Sequence, residues 1–226
     1  ISDFMKPDRI VIGGNNKKTL KQMNKLYKVF DDTEIISTNN RTAEMIKYAS
    51  NSLFGTLISF SNEIGNLCSS IEGVDSVDVM KGVHLDKRIS PILKNKKRIR
   101  PGIVSYLEAG CGFGGSCFPK DINALISFGK NKKNSMKLLS SVMDINYKQP
   151  NQIIKKILKH QPKLVGANIA ILGLALKPGT DDVRESPSIS VINKLTKLGA
   201  NVKAYDPVVK SNEGIFKNKN IRLINY

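Results

Sequence analysis

The chain has 226 residues, 40% of them hydrophobic and 24% charged, and its 36 Lys and Arg against 19 Asp and Glu give a net charge of +17. That length buries a real core in one or two domains, and no apolar run approaches the roughly 20 residues a membrane-crossing helix needs, so a soluble globular protein is expected. The basic excess, densest in Lys94 to Arg100 and Lys130 to Lys137, favours anionic ligands; the runs carry no interleaved aromatic residues and the chain has no Trp, which argues against nucleic acid.

Ile1-Ser2-Asp3-Phe4 shows neither an initiator Met nor a signal pattern, and reads as the interior of a longer protein. The apolar run Ile10-Val11-Ile12, the lysine-rich amphipathic stretch around Leu20, Met23, Leu26, Tyr27 and Phe30, and Glu34-Ile35-Ile36 predict strand, helix, strand over residues 1–38, the end of an α/β domain. From about residue 40, Ile46, Ser50, Leu53, Leu57, Phe60, Ile64, Leu67 and Ile71 recur at alternating three- and four-residue steps. This predicts a long amphipathic helix, capped at Asn39-Asn40 and closed at Gly73. A second helix is expected over Val74 to Lys81, then a basic loop with Pro91, Pro101 and Gly102. Pro119 suits the first turn of a helix running to about Gly129, and the next helix, Ser135 to about His160, is expected to kink or break at Pro150. After Pro162, Asn168 to Gly173 reads as a strand, Pro187 to Leu198 as a helix ending at Gly199, and Asn201 to Tyr205 as a strand, the opening of another α/β domain. The expected organisation is therefore a Rossmann-like remnant at 1–38, a central helical domain at 39–160 and an incomplete α/β domain at 161–226.

The chemistry concentrates in Ala109 to Cys117, which holds four glycines and ends in a thiol just before a helix start. Such a segment lets backbone approach a ligand and adopt positive φ, and the amides of a helix N-terminus favour a thiolate. Lys120 would assist, and Asp121, four residues after Cys117, is placed to act on a water approaching the sulfur. The bland alternative is a glycine-rich turn with a small buried cysteine. Lys47 and Asn51 share a helix face and together suit an alkoxide or oxyanion, although alone they are ordinary surface residues. Three cysteines, Cys68, Cys111 and Cys117, cannot all pair within one chain, which predicts a reducing, cytoplasmic setting, and the spacing of Cys111, Cys117, His84 and His160 does not suit a metal.

Gly112 to Asp121, GFGGSCFPKD, resembles the active-site signature of the UDP-glucose/GDP-mannose dehydrogenase family, on its UDP-glucose branch. The N-acetylmannosamine branch typically has a His where Ser116 stands, and the GDP-mannose branch is nearer. The resemblance implies a catalytic thiol at Cys117 supported by Asp121. It extends to Ala43 to Asn51, implying catalytic Lys47 and Asn51, and to Leu85 to Ile89, implying that Arg88 reaches a substrate in a neighbouring subunit. It places Tyr106, Leu107 and Gly110, with Phe113 and Gly114, in a loop packing on the sugar and diphosphate, where backbone amides would hold phosphate oxygens. Gly173 to Pro187 resembles the family's UDP-binding segment, with Lys177 contacting substrate and Arg184 and Lys120 toward the cofactor. Asp206 lies too far after Gly173 for an acidic ribose partner, so a dinucleotide is not that segment's expected ligand. The implied cofactor is NAD, with its glycine-rich fingerprint outside this sequence, and the implied assembly is a homodimer through the long helix. The competing reading is an inactive module that binds UDP-sugars or only dimerises.

Overall fold

The computed structural model describes residues 2–176, 179–209 and 221–223. Its contacts divide the chain into two units, Ile1–Asn51 and Ser52–Tyr226.

In the first unit a short helix α1 (Ser2–Met5) precedes β1 (Ile10–Gly13), α2 (Lys17–Tyr27) and β2 (Ile35–Thr38). The strands pair in parallel, Ile10 beside Ile35 and Gly13 beside Thr38, so α2 is the crossover expected between parallel neighbours. Asn16 starts α2 by accepting the Thr19 N–H at 2.7 Å, a side-chain cap for an orphan amide. The opening turns of α3 (Asn40–Cys68) belong here, started by Asn39, whose Oδ1 accepts the Thr42 N–H at 2.9 Å.

The rest of α3 begins the second unit. It is followed by α4 (Ser76–His84), a 3-10 turn at Gly102–Tyr106, α5 (Phe118–Asn131) and α6 (Lys137–His160). Strands β3 (Asn168–Leu172), β4 (Asn201–Tyr205) and β5 (Ile221–Leu223) form a parallel sheet in that order, with α7 (Pro187–Lys197) as the crossover from β3 to β4. Two cores hold the unit. Phe113, Ile122, Ile126, Leu139, Val142 and Met143 join α5 and α6 to the glycine-rich segment; Ile154, Leu174, Val191, Ile192, Leu195, Val202 and Ala204 join the end of α6 to the α/β layers. Helix α6 thus contributes to both.

Three details differ from the sequence expectations. Helix α6 runs through Pro150 as one element, so the expected break is absent, although Pro150 supplies no N–H to the carbonyl of Asn146; burial of Val142, Met143 and Ile154 on either side holds both halves in one helix. Helix α3 ends at Cys68 rather than Gly73, because Ser70 and Ile71 donate to Leu67 O and Cys68 O, three residues back, and tighten the chain into turns. Most consequentially, the side chains α3 buries are Ser52, Gly55, Ser59, Ser61, Asn62, Gly65 and Cys68, while Leu53, Phe60 and Leu67 of the apolar stripe stay 54%, 44% and 56% exposed.

Candidate active site

The segment from Ala109 to Cys117 folds as its glycines dictate. Gly112 (φ +96) and Gly115 (φ +80) occupy the left-handed region, which an L side chain adopts only with strain. The close approach that the glycines permit is to the chain's own backbone. A Cβ on Gly114 would collide with the carbonyl oxygen of Glu185, and Gly115 donates its N–H to Arg184 O at 3.1 Å. The turn before α7 is therefore seated directly on the turn before Cys117.

Cys117 is exposed and is the N-cap of α5, with Pro119 in the first turn and the Asp121 N–H donating to Cys117 O at 2.9 Å. Its sulfur lies 3.8 Å from Ser116 Oγ. One turn on, the carboxyl of Asp121 is fully buried, with Lys120 Nζ 2.9 Å from Oδ1; the Lys120 side chain is itself mostly exposed. The bland alternative of a buried structural cysteine applies instead to Cys68, at 6% exposure.

Arg184 comes to the same place. Its guanidinium is gripped by Asp182, Nε donating to Oδ1 at 2.9 Å and Nη2 to Oδ2 at 2.7 Å, and remains 71% exposed. This fork of charge-assisted hydrogen bonds pulls the Asp182 carboxyl down to about 2 and raises the guanidinium. Arg88 is held the same way by Asp86, at 3.0 and 2.6 Å, with 85% of its side chain exposed. Side-chain and backbone hydrogen bonds from Arg88 hold the Asp86 carboxyl well below the usual carboxylate range.

The other expected site residues divide by what their side chains touch. Phe113 and Leu107 are buried at 8% and 6% exposure, so they fill core; Tyr106 is half-buried, its ring stacked 4.7 Å from Phe54. The Gly110 N–H is taken by Asn62 Oδ1 at 2.7 Å, so it serves the fold rather than a phosphate. In the first unit, Lys47 and Asn51 sit one turn apart on α3, Lys47 exposed with Nζ 5.7 Å from the Tyr48 ring centroid. Lys177 lies outside the described residues. Among the described residues no group of His, Cys, Asp and Glu could hold a metal, and no helix is long and apolar enough to cross a membrane. Asp206 is a backbone ligand: Oδ2 accepts from Leu174 and Ala175 at 2.8 and 2.9 Å, Oδ1 from Val208 and Val209 at 2.9 and 3.2 Å. Burial opposes its charge, yet these four donors hold the carboxyl at about 2.

Sequence reasoning missed the side chains that hold the segment. Asn146 makes a two-way clamp on Phe113, Oδ1 accepting its N–H at 2.7 Å and Nδ2 donating to its carbonyl at 2.9 Å. Gln149 Nε2 donates to Gly110 O at 2.7 Å and to Asn62 Oδ1 at 3.3 Å, while Asn66 Nδ2 donates to Gln149 Oε1 at 3.0 Å. The available signal was amide spacing, three residues apart on α6 and four on α3, which puts each pair on one helix face. A cavity of about 290 Å³ between α6 and α7 is lined by Cys111, Phe113, Asn146, Tyr147 and Ser186 among others; Cys117 is not among its lining residues. Burial raises the Cys111 thiol.

An exposed thiol at a helix N-terminus thus stands one turn before a buried carboxylate, and the turn before α7 is seated on the glycine-rich turn that precedes the thiol. The chain belongs to the UDP-glucose/GDP-mannose dehydrogenase family: residues 41–148 match its central domain and residues 170–226 its UDP binding domain. It is 44% identical over 225 residues to UDP-glucose 6-dehydrogenase of Rickettsia bellii, covering 98% of this chain and 49% of that one, and 42% identical to UDP-glucose 6-dehydrogenase YwqF of Bacillus subtilis, covering 93% and 44%. Among solved structures, a UDP-glucose dehydrogenase from Pyrobaculum islandicum superposes with a TM-score of 0.87 at 36% identity, covering all of this chain and 49% of that one. The UDP-D-ManNAc dehydrogenase of Pyrococcus horikoshii follows at 0.72 and 28%, covering 93% and 48%. The chain spans about half the length of the curated relatives it matches.

Proposed function

We propose that the full-length protein is an NAD-dependent UDP-glucose 6-dehydrogenase that oxidises the C6 hydroxymethyl of UDP-glucose to the carboxylate of UDP-glucuronate, a four-electron change that consumes one water. The observation that carries the reading is Cys117 itself: an exposed thiol on the N-cap of α5 with the buried Asp121 one turn away. The 44% and 42% identity to UDP-glucose 6-dehydrogenases supports this sugar over GDP-mannose or UDP-N-acetylmannosamine, as does Ser116 before the thiol.

Two NAD molecules, bound in turn, would each accept one hydride. Of this chain's residues, Arg184 and Lys120 are exposed cations that suit the cofactor's pyrophosphate, and the backbone of Arg184 is bonded to Gly115, two residues before Cys117. Cys117 adds as thiolate to the C6 aldehyde, forming a C–S bond and a thiohemiacetal whose oxygen takes a proton. Departure of the second hydride from C6 leaves a thioester on Cys117. Water then attacks that carbonyl as Asp121 takes its proton, and the C–S bond breaks to release the carboxylate and the thiol. Lys47 and Asn51 stabilise the oxyanion in both additions. Covalent capture keeps the aldehyde from escaping.

In this reading residues 1–38 end the NAD-binding domain, 39–160 form the central domain and 161–226 begin the UDP-binding domain. Lys177 and the half-buried Tyr106 contact the sugar diphosphate, while Leu107, Gly110, Phe113 and Gly114 shape the loop behind them. The protein acts in the cytoplasm as a homodimer. Leu53, Phe60 and Leu67, seven residues apart on α3, supply an apolar seam of coiled-coil period for the partner helix. The exposed Arg88 is offered outward by Asp86 toward the partner's substrate.

The test is absorbance at 340 nm with the full-length protein, NAD and each of UDP-glucose, GDP-mannose and UDP-N-acetylmannosamine. UDP-glucose is expected to react fastest and to yield two NADH per sugar. A faster rate with another sugar would reassign the substrate, and no NADH from any of them would favour an inactive binding or dimerisation module.

A further inference from the structure

We infer that Asn146, with Gln149 and Asn62, is a positioning residue of the Cys117 reaction: a buried amide clamp that fixes the backbone of Gly110 and Phe113 and through it the location of the thiol. This inference rests on the dehydrogenase reading above. The segment from Gly110 to Cys117 contains four glycines, two at positive φ, so little in its own side chains restricts it; glycine carries the largest backbone entropy to be removed on ordering. Its order is imposed from outside, through main-chain groups. Both polar groups of Gly110 are taken, the N–H by Asn62 and the carbonyl by Gln149, and both polar groups of Phe113 are taken by Asn146. Asn62 is fully buried, and Asn146 and Gln149 are 7% and 6% exposed, so water cannot replace these bonds cheaply.

The chemistry of the clamp explains the residue type. A carboxamide is the neutral side chain carrying one acceptor and one donor at the spacing of a residue's N–H and C=O, so it holds a bare backbone without a charge beside the thiol. Gly112 supplies the room: a Cβ there would lie 2.7 Å from Asn146 Oδ1. Between the second clamp point and Cys117 there are only Gly114, Gly115 and Ser116, and displacements of about 1 Å at a reacting group cost on the order of a hundred-fold in rate. Helices α3 and α6 thus place the thiol from behind without touching it.

The experiment compares Asn146→Ala, Asn146→Asp and Gln149→Glu with Asn123→Ala in the full-length protein. The Asn123→Ala control removes an exposed bond of similar length, Asn123 Nδ2 to Tyr147 Oη at 3.0 Å, that ties α5 to the same helix α6 without touching the glycine-rich segment. For Asn146→Ala, kcat is expected to fall by about a hundred-fold with KM within about three-fold. Asn146→Asp, which keeps the acceptor and loses the donor, should fall between that variant and wild type, as should Gln149→Glu. Two readouts need no turnover: the rate at which iodoacetamide labels Cys117, followed by peptide mass, and amide exchange at Gly110 to Phe113. Both should change by about ten-fold or more in Asn146→Ala, the size of losing one to two net hydrogen bonds, and stay at the wild-type value in Asn123→Ala. A wild-type protein without NADH formation would remove the dehydrogenase reading while leaving the labelling and exchange results to judge the clamp. The clamp is overturned if the folded Asn146 variants match Asn123→Ala in kcat, labelling and exchange and differ only in melting temperature.

Discussion

The two faces of α3 obey different rules. The inner face is made of Ser52, Gly55, Ser59, Asn62 and Gly65 and is buried; the outer stripe of Leu53, Phe60 and Leu67 is apolar and half-exposed. On hydrophobicity alone the assignment would be reversed. The inner face is small because backbone must come close: a Cβ on Gly65 would lie 2.5 Å from the Ala109 Cβ, and one on Gly55 2.5 Å from Ile122 Cδ1. Two of its polar groups reach other backbone, Ser59 Oγ donating to Val142 O at 3.0 Å and Asn62 Oδ1 accepting the Gly110 N–H at 2.7 Å. Burial here serves the reach of main chain to main chain, while the outer stripe leaves its apolar area exposed.

Substitutions separate the two faces by size of effect. Gly65→Leu forces a side chain into Ala109 and is expected to lower stability by about 3 kcal/mol, read by urea unfolding. Asn62→Ala, which strips the Gly110 N–H and Gln149 of a partner, should cost about 2 kcal/mol in the same assay. Away from α3, the buried Asp206 provides a reference. Its carboxyl is depressed to about 2, so its contribution of about 2 kcal/mol is fully present above pH 4 and is lost as pH falls from 4 toward 2. An Asp206→Asn variant should lack that part of the acid transition. On the outer face, Phe60→Glu or Leu67→Glu should change the stability of one subunit by less than about 0.5 kcal/mol. Sedimentation should nevertheless show the dimer dissociating, and a dimer that survives both charges would remove the seam from the account.

Much of the fold was legible because punctuation and period agree. Pro119 and Pro187 sit in first turns, Gly199 follows α7, and both strand–helix–strand units carry short apolar runs of the right length. The existence of α3 was legible in its three-and-four period, but its buried face was not, since serine and glycine announce nothing until the backbone they meet is known. The place of Cys117 at a helix start was legible from its glycines and the proline after it. The amides behind it were not, because an asparagine in a helix gives no sign whether it faces water or a loop 33 residues away. The glycine-rich run itself was read as room for a ligand, and part of that room is filled by Glu185 and Arg184 of the same chain.

The two cysteines that flank the run give the most direct test of the central claim. Both are exposed; Cys117 stands at the start of α5, whereas Cys111 lines the cavity toward α7, where partial burial raises its thiol. Steady-state NADH formation from UDP-glucose should fall by about a thousand-fold or more in Cys117→Ser, the loss typical of removing a covalent nucleophile, and remain near wild type in Cys111→Ser. Sustained two-step oxidation by Cys117→Ser, or its loss in Cys111→Ser alone, would contradict the assignment of Cys117 as the thiol that carries the sugar.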